Sequence, residues 1–340
     1  MKKVLLVCSL ALTGILGATI VSCGNNEQTD NPGGNTPTDG FDTSKSITLY
    51  SREAGSGTRE CFFEGIGYGD VKKEDKWESG VKVQSVGSNG DIMTKVGSDD
   101  YAIGYCSLDS LGEGKGIKGL QYEGVTASEE SAVDGTYKLK RNFNYVVRSD
   151  NDYTNEDMKL AKNAFVAYMT ESKEGLLTIQ QNGGIINTKQ LSIADAENWS
   201  TIAEERFAGL KDIDAVTLNA CGSTSVEKVL TGLASQFNTL TSGKVTVKPN
   251  QSGSGDAVTG VTEGKNNTKF DLGFLSREIE DSEKATMAEY KITMSGAICI
   301  DAVVPIVNSD NTVLTNTTAE LLTAIYKGTY KTWADVAEAL

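Results

Sequence analysis

Ser46-Ile-Thr-Leu-Tyr-Ser-Arg-Glu-Ala-Gly-Ser-Gly-Thr-Arg59 decides how the chain is read. Its opening, Ser46–Tyr50, has the short β-branched and aromatic composition of a strand. Ser51–Thr58 is rich in turn formers, and Arg59 to Gly65 reads as the start of a helix. A strand that runs through a Gly/Ser loop into a helix is the repeating unit of α/β proteins.

The unit recurs outward from there. Val81–Val86 predicts a strand, with a helix from about Ser88 to Val96, and Tyr101–Ser107 predicts a buried strand. The apolar spacing of Leu160, Ala164, Phe165, Tyr168 and Met169 predicts a helix over residues 155–182. The cycle then restarts with a strand at Ala215–Asn219, a loop at Gly222–Ser225 and a helix over Val226–Asn238. Lys244–Lys248 reads as a strand, Asn250–Gly255 as a loop and Ala257–Glu263 as a helix. Asp271–Leu275 is a further strand leading into Ser276-Arg-Glu278. A long apolar run at Gly296–Val307 and a last helix at Thr318–Tyr326 complete the pattern.

The N-terminus reads as an address. Lys2 and Lys3 precede an apolar run, Val4 to Ile20, too short for a membrane span. It ends in Ile20-Val-Ser-Cys23, similar to a bacterial lipobox, which makes residues 1–22 a lipoprotein signal peptide and Cys23 the acylated mature N-terminus. Residues 23–44 are polar and Gly/Pro-rich, a disordered tether that holds a globular body off the membrane.

Composition excludes several function classes. A formal charge of −14 argues against nucleic-acid binding, which ordinarily needs a basic face. The chain has 0 His, which removes His triads, His metal sites and His proton shuttles together. Cys61, Cys106, Cys221 and Cys299 form no CxxC pair, so no metal is expected, and they read as small buried side chains rather than disulfides. Carboxylates do not cluster as a two-metal site needs, and no Ser lies in a GxSxG elbow, so an enzyme such as a phosphoesterase is not expected. Gly112-Glu-Gly-Lys-Gly-Ile-Lys118 lacks the ending of a nucleotide P-loop. No cofactor is called for.

Three loops share one design, at Arg52–Thr58, Gly222–Ser225 and Ser252–Gly255. Glycine lets backbone approach a ligand, serine and threonine add short donors, and the following helix offers free N–H groups at its positive end. Arg52 adds a charged, bidentate donor. This is chemistry for holding an oxyanion without a metal. Helix capping alone accounts for any one such loop, but less well for three, each after an expected strand.

These residues resemble the phosphate-binding proteins of bacterial phosphate ABC importers, the PstS family. Gly222-Ser-Thr-Ser-Val226, Ser252-Gly-Ser-Gly255 and Leu272-Gly-Phe-Leu-Ser-Arg-Glu278 are similar to its first three binding loops, and Ser51–Arg59 is similar to the fourth. Tyr101–Leu108 looks like the family's glycine-containing strand, and Ile306–Asn311 with Leu321–Trp333 like a later conserved stretch. The resemblance implies that Thr224, Ser225 and Ser254 (Ser252 being the weaker choice), with Arg52, Ser56, Gly57 and Thr58, donate to phosphate. Ser276 stands where some members carry an Asp that accepts the phosphate proton, which leaves open sulfate or molybdate as ligand. Arg277 beside it reads either as a ligand contact or as a structural ion pair with Glu278.

In the family the Arg-containing loop follows the other three, whereas here it comes first, so the chain reads as a circular permutant, the alternative being a fragment of a longer tandem chain whose halves pair with neighbours. The implied fold is α/β, a two-lobed periplasmic-binding-protein-like body with the ligand in the cleft. Lobe A takes residues 45–138 plus 301–340 and lobe B residues 139–300, with two crossing strands between them. The implied role is a monomeric, lipid-anchored, extracytoplasmic solute-binding protein that delivers phosphate to ABC permease subunits, touching the membrane only through its anchor. The alternative is an anion-sensing surface lipoprotein without a transporter.

Overall fold

The apolar run at Gly296–Val307 becomes one strand of 14 residues, Ser295–Asn308, and the rest of the main sheet is built around it. The computed structural model describes residues 40–264 and 268–340, of which Phe41–Leu340 form one compact body. The signal peptide, Cys23 and most of the tether lie outside the described residues.

Among the described residues the strands are β1 (Thr48–Arg52), β2 (Val83–Val86), β3 (Ala102–Ser107), β4 (Ile117–Gly119) and β5 (Gln121–Tyr122). They continue as β6 (Lys140–Val147), β7 (Val216–Gly222), β8 (Val245–Gln251), β9 (Leu272–Leu275), β10 (Ser295–Asn308) and β11 (Asn316–Thr317). The main sheet runs β2-β1-β3-β10-β6-β9-β7-β8, with β4 also on β10, while β11 and β5 pair apart. The arrangement repeats. β1 lies between β2 and β3 with all three parallel, and β7 lies between β8 and β9 in the same way. β10 joins the two halves, pairing antiparallel with β6 over Ser295–Ala302 and with β3 over Val303–Val307.

The apolar residues gather accordingly. Phe143, Phe165, Tyr168, Trp199, Leu218, Leu230, Phe237 and Phe274 share one core. Leu49, Phe62, Phe63, Tyr105, Val303, Tyr326 and Trp333 share another. The ends of the body meet in the second. Ile47 N donates to Lys331 O at 2.9 Å and Ala334 N to Thr43 O at 2.7 Å, and Trp333 is fully buried beside them.

The expected helices form, with one break. Residues 155–182 make two helices, Glu156–Glu171 and Lys173–Gln181. Ser172 divides them because its hydroxyl donates back to Tyr168 O at 2.6 Å and accepts Gly175 N at 3.0 Å, which caps a new helix instead of continuing the old one. No disulfide links Cys61, Cys106, Cys221 and Cys299. Burial pushes the Cys61 and Cys106 thiols up to about 12, so neither is a ready nucleophile.

Candidate functional site

Parallel strands gather loops at their carboxyl ends, and both halves of the sheet do so here. Gly57–Gly65, Asn89–Gly97 and Glu227–Leu240 are helices that follow β1, β2 and β7. The starts of the latter two face a common region, to which the first is tied through Thr58 and Ser225, and there unsatisfied N–H groups and positive dipole ends favour an anion. A cavity of about 300 Å³ lies there, with Arg52, Asn89, Arg141, Thr224, Ser225 and Asp301 among its lining residues.

Close approach requires glycine at two points. Gly222 ends β7 at φ +116°, and a Cβ there would sit 2.0 Å from Phe274 O. This contact lets Ser223 N donate to Phe274 O at 2.8 Å, tying the loop after β7 to β9. A Cβ on Gly57 would lie 1.6 Å from Ser276 Oγ and 2.9 Å from Arg141 Nη1. Gly57, Ser276 and Arg141 are thus packed on one another.

The serines around them are buried and linked. Ser223 Oγ donates to Ser276 Oγ at 2.7 Å, Ser254 and Ser276 hydroxyls lie 3.2 Å apart, and Ser276 N donates to Ser254 Oγ at 3.2 Å. Thr58 Oγ1 and Ser225 Oγ are 3.3 Å apart, bridging the helix starts after β1 and β7.

The structure therefore brings Arg52, Thr224 and Ser225 to the cavity wall, with Thr58 bonded to Ser225 and to Arg141. Ser254, Ser276 and Gly57 form the packed layer next to Arg141. Ser56 stands apart, because its hydroxyl caps a helix by accepting Arg59 N at 3.5 Å. Arg52 is heavily engaged. It donates to both Glu53 carboxylate oxygens at 3.0 and 2.9 Å, to Asn89 Oδ1 at 3.0 Å and to Gly87 O at 3.2 Å. Arg277 holds Glu283 through two bonds of 2.8 and 2.9 Å and lies 3.5 Å from the Glu60 carboxylate, the ion-pair role with different carboxylates from Glu278. Arg59 is fully buried on Val71 O, Arg52 O and Asp75.

Two central residues were missed from the sequence. Arg141 on β6 sends Nε and Nη2 to Asp301 Oδ2 at 3.0 and 2.7 Å, and Nη2 also reaches Thr58 Oγ1 at 3.0 Å. Both side chains of this pair are almost inaccessible, at 4% and 5% exposure. Burial pushes the Asp301 carboxyl up, and the Arg141 charge beside it pulls it back. Two buried atoms of residues in the cavity wall have no hydrogen-bond partner among the described residues, Arg141 Nη1 and Thr224 Oγ1. A legible signal for the pair was Asp301, the one charged residue within Ser295–Asn308, since a charge inside an apolar strand needs a partner.

Comparison with known proteins agrees with this geometry. A model of the PBP superfamily domain matches residues 198–340. The phosphate-binding protein PstS 2 of Streptococcus pneumoniae serotype 4 is 30% identical over 336 residues, covering 98% of this chain and 98% of that one. PstS 2 of Streptococcus agalactiae serotype V is 28% identical over 343 residues, covering 99% and 100%. Among solved structures, the phosphate-binding protein of a phosphate ABC transporter from Streptococcus pneumoniae superposes with a TM-score of 0.63 at 28% identity, covering 86% of this chain and 100% of that one. These relatives are solute-binding proteins and not enzymes. A two-lobed α/β fold, loops gathered at strand ends and a match running from end to end lead to one conclusion: the chain belongs to the PstS family of phosphate-binding proteins.

Proposed function

We propose that the protein captures phosphate outside the cytoplasm and delivers it to the permease of an ABC importer. The observation that carries this reading is Arg141 Nη1, a buried charged donor with no hydrogen-bond partner among the described residues, on a cavity wall shared with Thr224, Ser225 and the starts of the helices Asn89–Gly97 and Glu227–Leu240. A buried donor left unmatched is costly, and a tetrahedral oxyanion satisfies it with a strong charge-assisted bond. Thr58, Ser225 and Thr224 complete the donor set, and Arg52 stands at the wall as a second cation. Ser56, Gly57, Ser254 and Ser276 act by holding the loops in register.

The lobes are read as residues 45–138 plus 301–340 and 139–300. The apolar cores support this reading by dividing near Leu139 and Ile300. The loop order is read as permuted relative to members whose Arg-containing loop comes last. Ends that adjoin at Ser46 and Thr332 support it, since such a chain can be reopened elsewhere without disturbing its core. Cys23 is read as the acylated anchor of a monomer. Among the described residues no helix is long and apolar enough to cross a membrane.

One experiment tests capture and anchoring together. The full chain and its Cys23→Ala variant are expressed in a bacterial host, and labelled-phosphate binding is measured in membrane and soluble extracytoplasmic fractions. Binding should sediment with membranes for the natural chain and move to the soluble fraction for the variant. Binding in neither fraction contradicts phosphate capture, and binding that stays on membranes in both contradicts the anchor.

A further inference from the structure

We propose that Asp109 and Lys228 form an ionic gate across the mouth of the anion cavity, setting how fast phosphate enters and leaves without contributing to its affinity. The inference rests on phosphate capture and on the two lobes as read above. A ligand exchanges from a cleft only when the lobes part, so a bond between lobes at the mouth resists entry and exit alike.

Asp109 belongs to lobe A, in the short helix Leu108–Leu111 after β3, and Lys228 to lobe B, in the first turn of Glu227–Leu240. Both line the cavity, as does Gly183 of lobe B. Lys228 Nζ donates to Asp109 Oδ2 at 2.8 Å and lies 3.6 Å from the carboxylate of Glu113, also of lobe A. The two side chains are 53% and 25% exposed, which puts the pair at the rim of the cavity and apart from the buried donors. A second contact seats the same carboxylate. Gly183 has φ +89°, and a Cβ there would lie 2.0 Å from Asp109 Cγ. Glycine at 183 thus leaves the space that the Asp109 carboxylate occupies against lobe B. The residues around Asp109 are braced in turn, since the Ser107 and Ser110 hydroxyls lie 3.0 Å apart and Ser107 Oγ accepts Asn89 Nδ2 at 3.0 Å. Each charge of the pair is matched by the other, so the pair needs no anion to form. It stabilises the closed lobes equally with and without phosphate, and an equal contribution to both states cancels from the affinity. Its effect is on the rate of parting. Charge steering alone predicts otherwise, because losing Lys228 would slow the arrival of an anion and losing Asp109 would hasten it.

Exchange of labelled phosphate on the full chain tests this, with entry and exit followed separately at low salt. Asp109→Asn and Lys228→Gln should each speed both entry and exit by about two- to fivefold, the range that a partly exposed ion pair commands. The dissociation constant of each should stay within about twofold of the natural one, for the reason just given. The double variant should be no faster than either single one, because the same pair is broken in all three. In about 1 M salt, which screens charges over roughly 3 Å, variants and natural protein should converge. Lys284→Gln breaks the 2.9 Å pair with Asp281 inside lobe B and should exchange at the natural rate. Opposite shifts in Asp109→Asn and Lys228→Gln, or natural rates in either, overturn the gate. A natural protein that holds no labelled phosphate overturns phosphate capture, and the gate with it.

Discussion

Arg141→Met should produce the largest loss of any single substitution in the protein, in stability and in ligand affinity together. Methionine fills most of the volume but leaves Asp301 buried without its cation. Removing one partner of a buried ion pair costs about 3–5 kcal/mol. The sign of the pH dependence follows. With Arg141 gone, burial, reinforced by the Asp109 charge, outweighs the bond that Asp301 accepts from Ala302 N and raises its carboxyl above the unfolded value of about 3.9. The folded state then binds the proton more tightly than the unfolded state. The variant should be most stable below that unfolded value and lose stability as pH rises through the raised one. Phosphate affinity should fall by about 30-fold or more, since truncating a charged, buried hydrogen bond costs about 2–5 kcal/mol. Arg141→Met/Asp301→Leu separates the two effects. Replacing a whole buried pair by apolar groups is often neutral, so thermal stability should recover while phosphate binding stays lost. Recovered binding in the double variant would assign Arg141 a purely structural role.

Gly57→Ala should weaken phosphate binding by about tenfold or more although it adds a single methyl group. The new carbon would begin 1.6 Å from Ser276 Oγ and 2.9 Å from both Ser276 Cβ and Arg141 Nη1. Ser276 cannot retreat without stretching its bonds to Ser223 and Ser254, and Arg141 cannot without leaving Asp301 or Thr58. Overpacking of this kind costs about 1–3 kcal/mol, more than the roughly 0.5–1 kcal/mol that alanine returns through helix propensity. Gly90→Ala is the matched control, lying in the first turn of Asn89–Gly97 with its nearest neighbour, Ser88 Oγ, at 3.7 Å. Calorimetry should show natural affinity for Gly90→Ala. Equal affinities for the two variants would mean that the contact between Gly57 and Ser276 does not shape the site.

The strand–loop–helix units were legible because each rests on local chemistry. Strand composition at Thr48–Arg52, glycine at 55 and 57 and serine caps at 56 and 88 are all written within a few residues. Local chemistry also explains the error at Ser172, where apolar spacing on both sides hides a hydroxyl that turns the backbone. The Arg141–Asp301 pair was not legible in this way. Its members are 160 residues apart on β6 and β10, and only the register of those strands brings them together. The two loop arginines show the same limit. Arg52 and Arg59 flank one loop, yet Arg52 reaches the cavity wall and Arg59 is sealed beneath it on the carbonyls of Val71 and Glu74. Nothing in their spacing distinguishes these fates.

The central claim is that the anion sits against Arg141 and Thr224. Arsenate has the shape and protonation of phosphate, and its arsenic scatters X-rays anomalously. Crystals of the protein grown with arsenate in place of phosphate should show one strong anomalous peak within about 4 Å of Arg141 Nη1 and Thr224 Oγ1, the arsenic lying one bond beyond hydrogen-bonded oxygens. A peak elsewhere, such as the surface groove of about 400 Å³ beside Trp199 and Leu240, or no peak at saturating arsenate, would contradict the account.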